Sequence, residues 1–181
     1  MTVAKSYMTE ADFMRLPDEG RKVELVDGEV EEVPGSVRND EVAAIVIYRL
    51  TPAVIGRGAL CSSQAGFRMV SGNVRAPDVS FTRRERLPGG LAPDTFGDAA
   101  PDLCIEIVSP SEERGDMARK RDEYFASGAQ QVWYLFPDTS HVVVYTSPMQ
   151  SIEYTLDQEI TGGDLLPAFR CRVADLFKLT A

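Results

Sequence analysis

Residues 101–110 read Pro-Asp-Leu-Cys-Ile-Glu-Ile-Val-Ser-Pro, and this stretch decides the fold. A short apolar run bounded by prolines has the look of a central strand covered on both faces. Glu106 interrupts it. A carboxylate taken out of water without a partner is costly, so a cation or a set of donors is expected beside it. A second run lies upstream: residues 75–81 read Arg-Ala-Pro-Asp-Val-Ser-Phe, which puts Asp78 at the head of another apolar strand. Downstream lies a helix that carries lysine. Two acids on neighbouring strands and a lysine on the following helix suggest a divalent-metal site.

Working outward, residues 109–111 (Ser-Pro-Ser) lead into a helix that starts near Glu112 or Asp116 and runs to Ala126, with Gly128 as its C-terminal cap. Asp116, Lys120 and Tyr124 are spaced by four and share a face. Arg119 and Arg121 point elsewhere. Strands are expected over 131–136 and 141–146, an edge strand over 151–156, a loop burying apolar side chains over 165–169 and a short final helix over 173–179. On the N-terminal side, Thr9 and Asp12 mark a short helix that runs to about Leu16, before Pro17. Asp27-Gly28 turns a hairpin over 22–33 and makes Glu24 a possible third carboxylate. A helix over 40–50 is capped by Asn39 or Asp40 and ended or kinked by Pro52. Strands follow over 59–62, 67–70 and 74–81. The expectation is one α/β domain over residues 1–181, a mixed sheet flanked by helices.

Composition narrows the chemistry. The chain has 181 residues, 44% hydrophobic and 26% charged, which suits a globular domain with a sizeable core. The net charge of −9 argues against a protein that coats nucleic acid, although a metal site itself gathers carboxylates. One histidine, His141, leaves little room for histidine-rich zinc sites or a Ser-His-Asp triad, and a structural role is expected for it. Cys61, Cys104 and Cys171 form no zinc pattern and read as reduced cysteines of a cytoplasmic protein. No run is apolar and long enough to span a bilayer.

The segments VELVDGEV (23–30), APDVSF (76–81), PDLCIEIVSPSE (101–112), DMARKRDEYFASGAQQVWYLFPD (116–138) and LLPAFRCRVADLF (165–177) together resemble the Uma-two family of restriction endonucleases, within the PD-(D/E)xK nuclease superfamily. The resemblance implies a restriction-endonuclease-like fold and places Glu24, Asp78, Glu106 and Lys120 at the family's active-site positions. The superfamily's Glu-x-Lys is here Glu106-Ile107-Val108, a departure typical of the family, so Lys120 becomes the migrated catalytic lysine. Asn39 stands where the family often has histidine.

On this reading Asp78, Glu106 and the carbonyl of Ile107 hold Mg²⁺ (or Mn²⁺), which lowers the pKa of a bound water. Lys120 orients that water or stabilises charge on the phosphate. Glu24 holds a metal-bound water or assists proton transfer. The expected substrate is DNA and the expected assembly a homodimer, with the apolar stretch 142–145 as a possible interface. Two other readings stand beside it. One is a non-catalytic binding or regulatory protein on the nuclease fold, in which Glu106 and Lys120 are only a buried salt bridge. The other is a carboxylate-pair glycosidase, for which Lys120 would be incidental.

Overall fold

The structure is a computed structural model that describes residues 7–17, 20–33, 35–110 and 112–178. Ser111 and Leu179, which belong to the expected connection and final helix, lie outside these residues. The elements are α1 (Glu10–Phe13), β1 (Val23–Val26), β2 (Glu29–Glu32), α2 (Val37–Val54), β3 (Gly58–Ser62), β4 (Phe67–Arg68), β5 (Val74–Arg75), β6 (Val79–Arg83), β7 (Leu103–Ile107), α3 (Arg114–Ala126), β8 (Gln131–Phe136), β9 (His141–Ser147), β10 (Gln150–Tyr154), β11 (Glu159–Gly162), β12 (Leu166–Arg172) and α4 (Ala174–Phe177).

A six-stranded sheet in the order β10-β9-β8-β7-β6-β3 forms the centre. Only β7 and β8 run parallel, joined by α3 as the crossover; the other neighbours are antiparallel. Alternation along β7 sorts its side chains. Leu103, Ile105 and Ile107 join Trp133, Leu135 and the Val42–Val46–Leu50 stripe of α2 in the larger core. Cys104 and Val108 join Val132, Tyr134 and Tyr124 of α3 in a second core on the opposite face. Glu106 shares the face of Cys104 and Val108, so it points towards α3.

A second sheet, β2-β1-β5-β4, is built on the expected hairpin. Asp27 and Gly28 turn it with φ of 51° and 78°, the two positive values that a two-residue hairpin turn needs. The single strand expected over 74–81 is two in the structure. β5 pairs with β1 and β6 pairs with β7, and the chain changes sheets at Ala76-Pro77-Asp78. Pro77 has no N–H to give a ladder, which allows the break there.

Other expectations shift. Ser36, not Asn39 or Asp40, caps α2 by accepting the Asn39 amide, and the helix carries Pro52 in its last turn. α1 stops at Phe13, within a reciprocal Thr9–Asp12 capping box. Residues 166–172 are a strand hairpinned to β11 rather than a loop. The stretch 142–145 lies in β9, which β8 and β10 flank on both sides, so it is not an edge; β10 is. His141 stacks on Phe136 at 4.3 Å and Trp133 is buried, both in structural roles. No helix among the described residues is long and apolar enough to cross a membrane.

Candidate active site

The candidate side chains meet where the two sheets touch, at the C-terminal end of β7. Glu106 is buried, and its Oε1 takes both the Lys120 ammonium at 3.1 Å and the Tyr124 hydroxyl at 2.5 Å. Lys120 and Tyr124 are one turn apart on α3, the expected shared face, and the β7-α3-β8 crossover lays that face on the sheet. Asp116, the third member of the series, stays exposed.

Asp78 sits one residue before β6. The register Val79↔Ile105 places it beside Glu106 on the neighbouring strand. Its Oδ2 accepts the Ile107 amide at 2.7 Å, so the side chain caps the ladder where Pro77 ends it. Its Oδ1 meets the Lys22 ammonium at 2.7 Å. The Ile107 carbonyl accepts from the Asn39 side-chain amide at 3.2 Å, which ties the first turn of α2 to the end of β7.

Glu24 comes from β1. Its Oε1 accepts the Ala76 amide at 2.9 Å and lies 3.1 Å from Lys120; its Oε2 lies 2.9 Å from Arg75. Lys120 therefore bridges Glu24 and Glu106. Arg75, buried at the end of β5, also reaches Glu123 of α3 at 2.6 Å, and Glu123 accepts from Asn73 and Ser71. The two sheets and α3 are thus joined by ion pairs with little access to water.

The electrostatics divide the acids. Burial pushes Glu106 up to about 7, the charges of Asp78 and Glu24 add to that, and Lys120 offsets only part of it. Burial also works against ionised Glu24, but Lys120, Arg75 and the Ala76 amide outweigh it and hold that carboxyl down, at about 2. Lys120 suffers the same burial, yet Glu106 and Glu24 raise it well above the ordinary lysine range, so it stays an ammonium. Burial and Glu106 together push the Tyr124 phenol far up, so it remains a donor.

Asp78, Glu106, Ile107, Lys120, Lys22 and Asn39 line one cavity of about 390 Å³. Among the described residues no three His, Cys, Asp or Glu side chains cluster to hold a metal. Two carboxylates and a main-chain carbonyl line this cavity. That all-oxygen set fits a hard dication that keeps several waters of its own. The proton held on Glu106 reflects burial first and the nearby charges of Asp78 and Glu24 second, and a dication would offset both.

All five residues singled out in the sequence, Glu24, Asp78, Glu106, Ile107 and Lys120, fall within this network. Arg119 and Arg121 do not; they pair with Asp27 and Asp122. Of the basic run at 83–86, Arg83 and Arg86 both pair with the buried Asp102. Sequence reasoning missed Lys22, Arg75 and Glu123. A usable signal existed for two of them: Lys22 and Arg75 each lie within three residues of a proposed site acid.

Residues 10–174 match the Uma2 family, described as "Putative restriction endonuclease". No curated protein matches the chain. The crystal structure of a putative nuclease belonging to DUF820 from Anabaena variabilis superposes with a TM-score of 0.83, covering 94% of this chain and 97% of that one at 20% identity, a likeness of fold. With the family match spanning nearly the whole chain and the fold shared, the protein belongs to the Uma2 family of restriction-endonuclease-like proteins.

Proposed function

We propose that this protein is a metal-dependent endonuclease that hydrolyses phosphodiester bonds of DNA. One observation carries the reading: Asp78 and Glu106, from neighbouring strands, line one cavity with an ammonium that α3 delivers to 3.1 Å from Glu106. Asp78, Glu106 and the Ile107 carbonyl are the residues that would hold Mg²⁺ or Mn²⁺. When bound, the ion supplies Lewis-acid polarisation of the phosphate and a more acidic water.

The chain's own residues do the rest. Lys120, permanently charged, offers a donor for negative charge that grows on the phosphate in the transition state. Glu24 aims that donor. With both oxygens engaged and its carboxyl held acidic, Glu24 suits positioning better than proton transfer. Tyr124 and Arg75 fix the two acids from behind. Pairing of two copies to cut two strands is part of this proposal, with β9 excluded as the free edge. Reduced cysteines suit a cytoplasmic setting.

The test is cleavage of plasmid and single-stranded DNA with Mg²⁺ or Mn²⁺, with Asp78→Ala as control. Metal-dependent nicking that Asp78→Ala abolishes supports the reading; equal cutting by both proteins sinks it. A second reading, a non-catalytic member of the fold, draws on one observation: each of the two central acids already has a lysine, Lys22 on Asp78 and Lys120 on Glu106. In that case neither protein cuts and no dication binds.

A further inference from the structure

A second cavity, of about 340 Å³, adjoins the first. Arg21, Lys22, Ser63 and Gln64 line both. Lys22 touches Asp78 at 2.7 Å, so the second cavity opens one side chain away from the acidic centre. Its character differs. Phe13 and Phe96 stand together in its wall with ring centroids 5.8 Å apart. Around its mouth Met14, Leu16 and Val30 are 46%, 40% and 38% exposed. Apolar side chains gathered at a concave site mark a ligand surface more often than scattered ones do.

The order of these features along the groove matches the order of parts in a nucleotide. The acids and lysines suit a phosphate with its cation. The shared waist of Arg21, Lys22, Ser63 and Gln64 offers polar groups between the two ends, as a sugar lies between phosphate and base. The aromatic and aliphatic end suits the flat apolar faces of a base. A base inside a duplex is stacked and paired and cannot enter such a recess; an unpaired base can. We infer that the Phe13–Phe96 cavity receives an unpaired nucleobase of the strand whose phosphate lies at Asp78 and Glu106, so that the preferred substrate is single-stranded or locally unpaired nucleic acid. The phosphate placement rests on the nuclease reading; the base subsite has its own test.

That test compares three oligomers with equal phosphate spacing: dT20, a twenty-unit strand of abasic linkers, and the dT20·dA20 duplex. Fluorescence anisotropy in EDTA measures binding by the full chain, and gel assays with Mg²⁺ and Mn²⁺ measure cleavage. The expected result is that dT20 binds at least roughly fivefold tighter than the abasic strand, the value of one stacked base, and is cut faster than the duplex. Phe96→Ala should bring dT20 down to the abasic level and leave abasic binding unchanged. Because Phe96 also packs on Phe13 and Arg68, the exposed double change Met14→Ala/Leu16→Ala serves as the variant that spares the core. Equal binding of dT20 and the abasic strand, or a preference for duplex, overturns the base subsite, while cleavage of any strand leaves the nuclease reading intact. A dT20 preference without cleavage keeps the subsite and removes the nuclease. No binding to any strand together with no cleavage of any strand overturns both.

Discussion

The Lys22 ammonium lies 2.7 Å from Oδ1 of Asp78, while Oδ2 of the same carboxylate accepts the Ile107 amide at 2.7 Å. Oδ2 is held by the fold; Oδ1 is held by a side chain that can leave. A dication approaching Asp78 competes with Lys22 for that oxygen. Lys22→Met should therefore bind Mn²⁺ tighter, by roughly three- to tenfold, since a partly screened pair of this kind is worth about 1 kcal/mol. Titration calorimetry or Mn²⁺ electron paramagnetic resonance reads it. Unchanged or weaker affinity would mean that Lys22 does not compete.

The Glu106 carboxyl, pushed up from 4.5 to about 7, makes stability depend on pH. The folded state holds a proton there that the unfolded state has released. Its contribution is fully present below about 4.5 and is lost as pH rises through about 7. Glu106→Gln, which stays neutral, should match wild type near pH 4.5 and melt progressively higher than it towards pH 8, by an amount on the order of 3 kcal/mol. Glu24 works the opposite way: its depressed carboxyl stabilises above about 4.5 and loses that as pH falls towards about 2. Parallel melting curves for wild type and Glu106→Gln across the range would contradict the assignment.

The same proton must leave before a cation can bind Glu106. Mn²⁺ affinity should fall about tenfold per unit as pH drops below about 7, and Glu106→Gln should lose most of this slope with its affinity. A flat affinity between pH 6 and 8 in the wild type would place the ion elsewhere.

Lys120 has two duties, since it bridges Glu24 and Glu106 at 3.1 Å each. Lys120→Met should cost about 3–5 kcal/mol of stability by leaving buried carboxylates short of a cation. Cleavage should fall about 10²- to 10³-fold. Adding Glu106→Gln to Lys120→Met removes one of the orphaned charges and should restore much of the melting temperature without restoring cleavage. Cleavage at wild-type rate by a folded Lys120→Met protein would end its role in the reaction.

Arg75 ties Glu24 of the small sheet to Glu123 of α3. Arg75→Met should destabilise the protein by about 3 kcal/mol. Combined with Glu123→Gln it should cost less than the two single changes added together, because the second substitution removes a charge that the first had stranded. Thermal melts of the four proteins measure this coupling, and strict additivity would argue against a shared network.

Much of this centre could be read from the chain because its parts are local. The run at 103–107 needs only alternation and two prolines, and the four-residue spacing of Lys120 and Tyr124 carries them to Glu106 through one crossover. The parts that escaped depend on how separate sheets meet. Lys22 and Arg75 look like solvated charges in sequence; Arg75 is buried where β5 meets Glu123 of α3, and Lys22 is covered where it meets Asp78 at the head of β6. The split at Pro77 was hidden by apolar residues on either side, which read as one strand when pairing partners are unknown. Pro167 similarly disguised β12, where the ladder to β11 slips its register and Pro167 and Ala168 are both exposed before alternating burial resumes at Phe169.

Lys120 touches one acid from the first strand of the chain and another from the seventh, and it arrives after both. A ribosome thus releases Glu24 and Glu106 well before the lysine that bridges them. Until α3 has emerged and folded back, Glu106 has no cation beside it and nothing bridges it to Glu24. The growing chain cannot hold a finished catalytic centre during most of its synthesis. On the proposed nuclease reading, such late assembly keeps the unfinished product harmless.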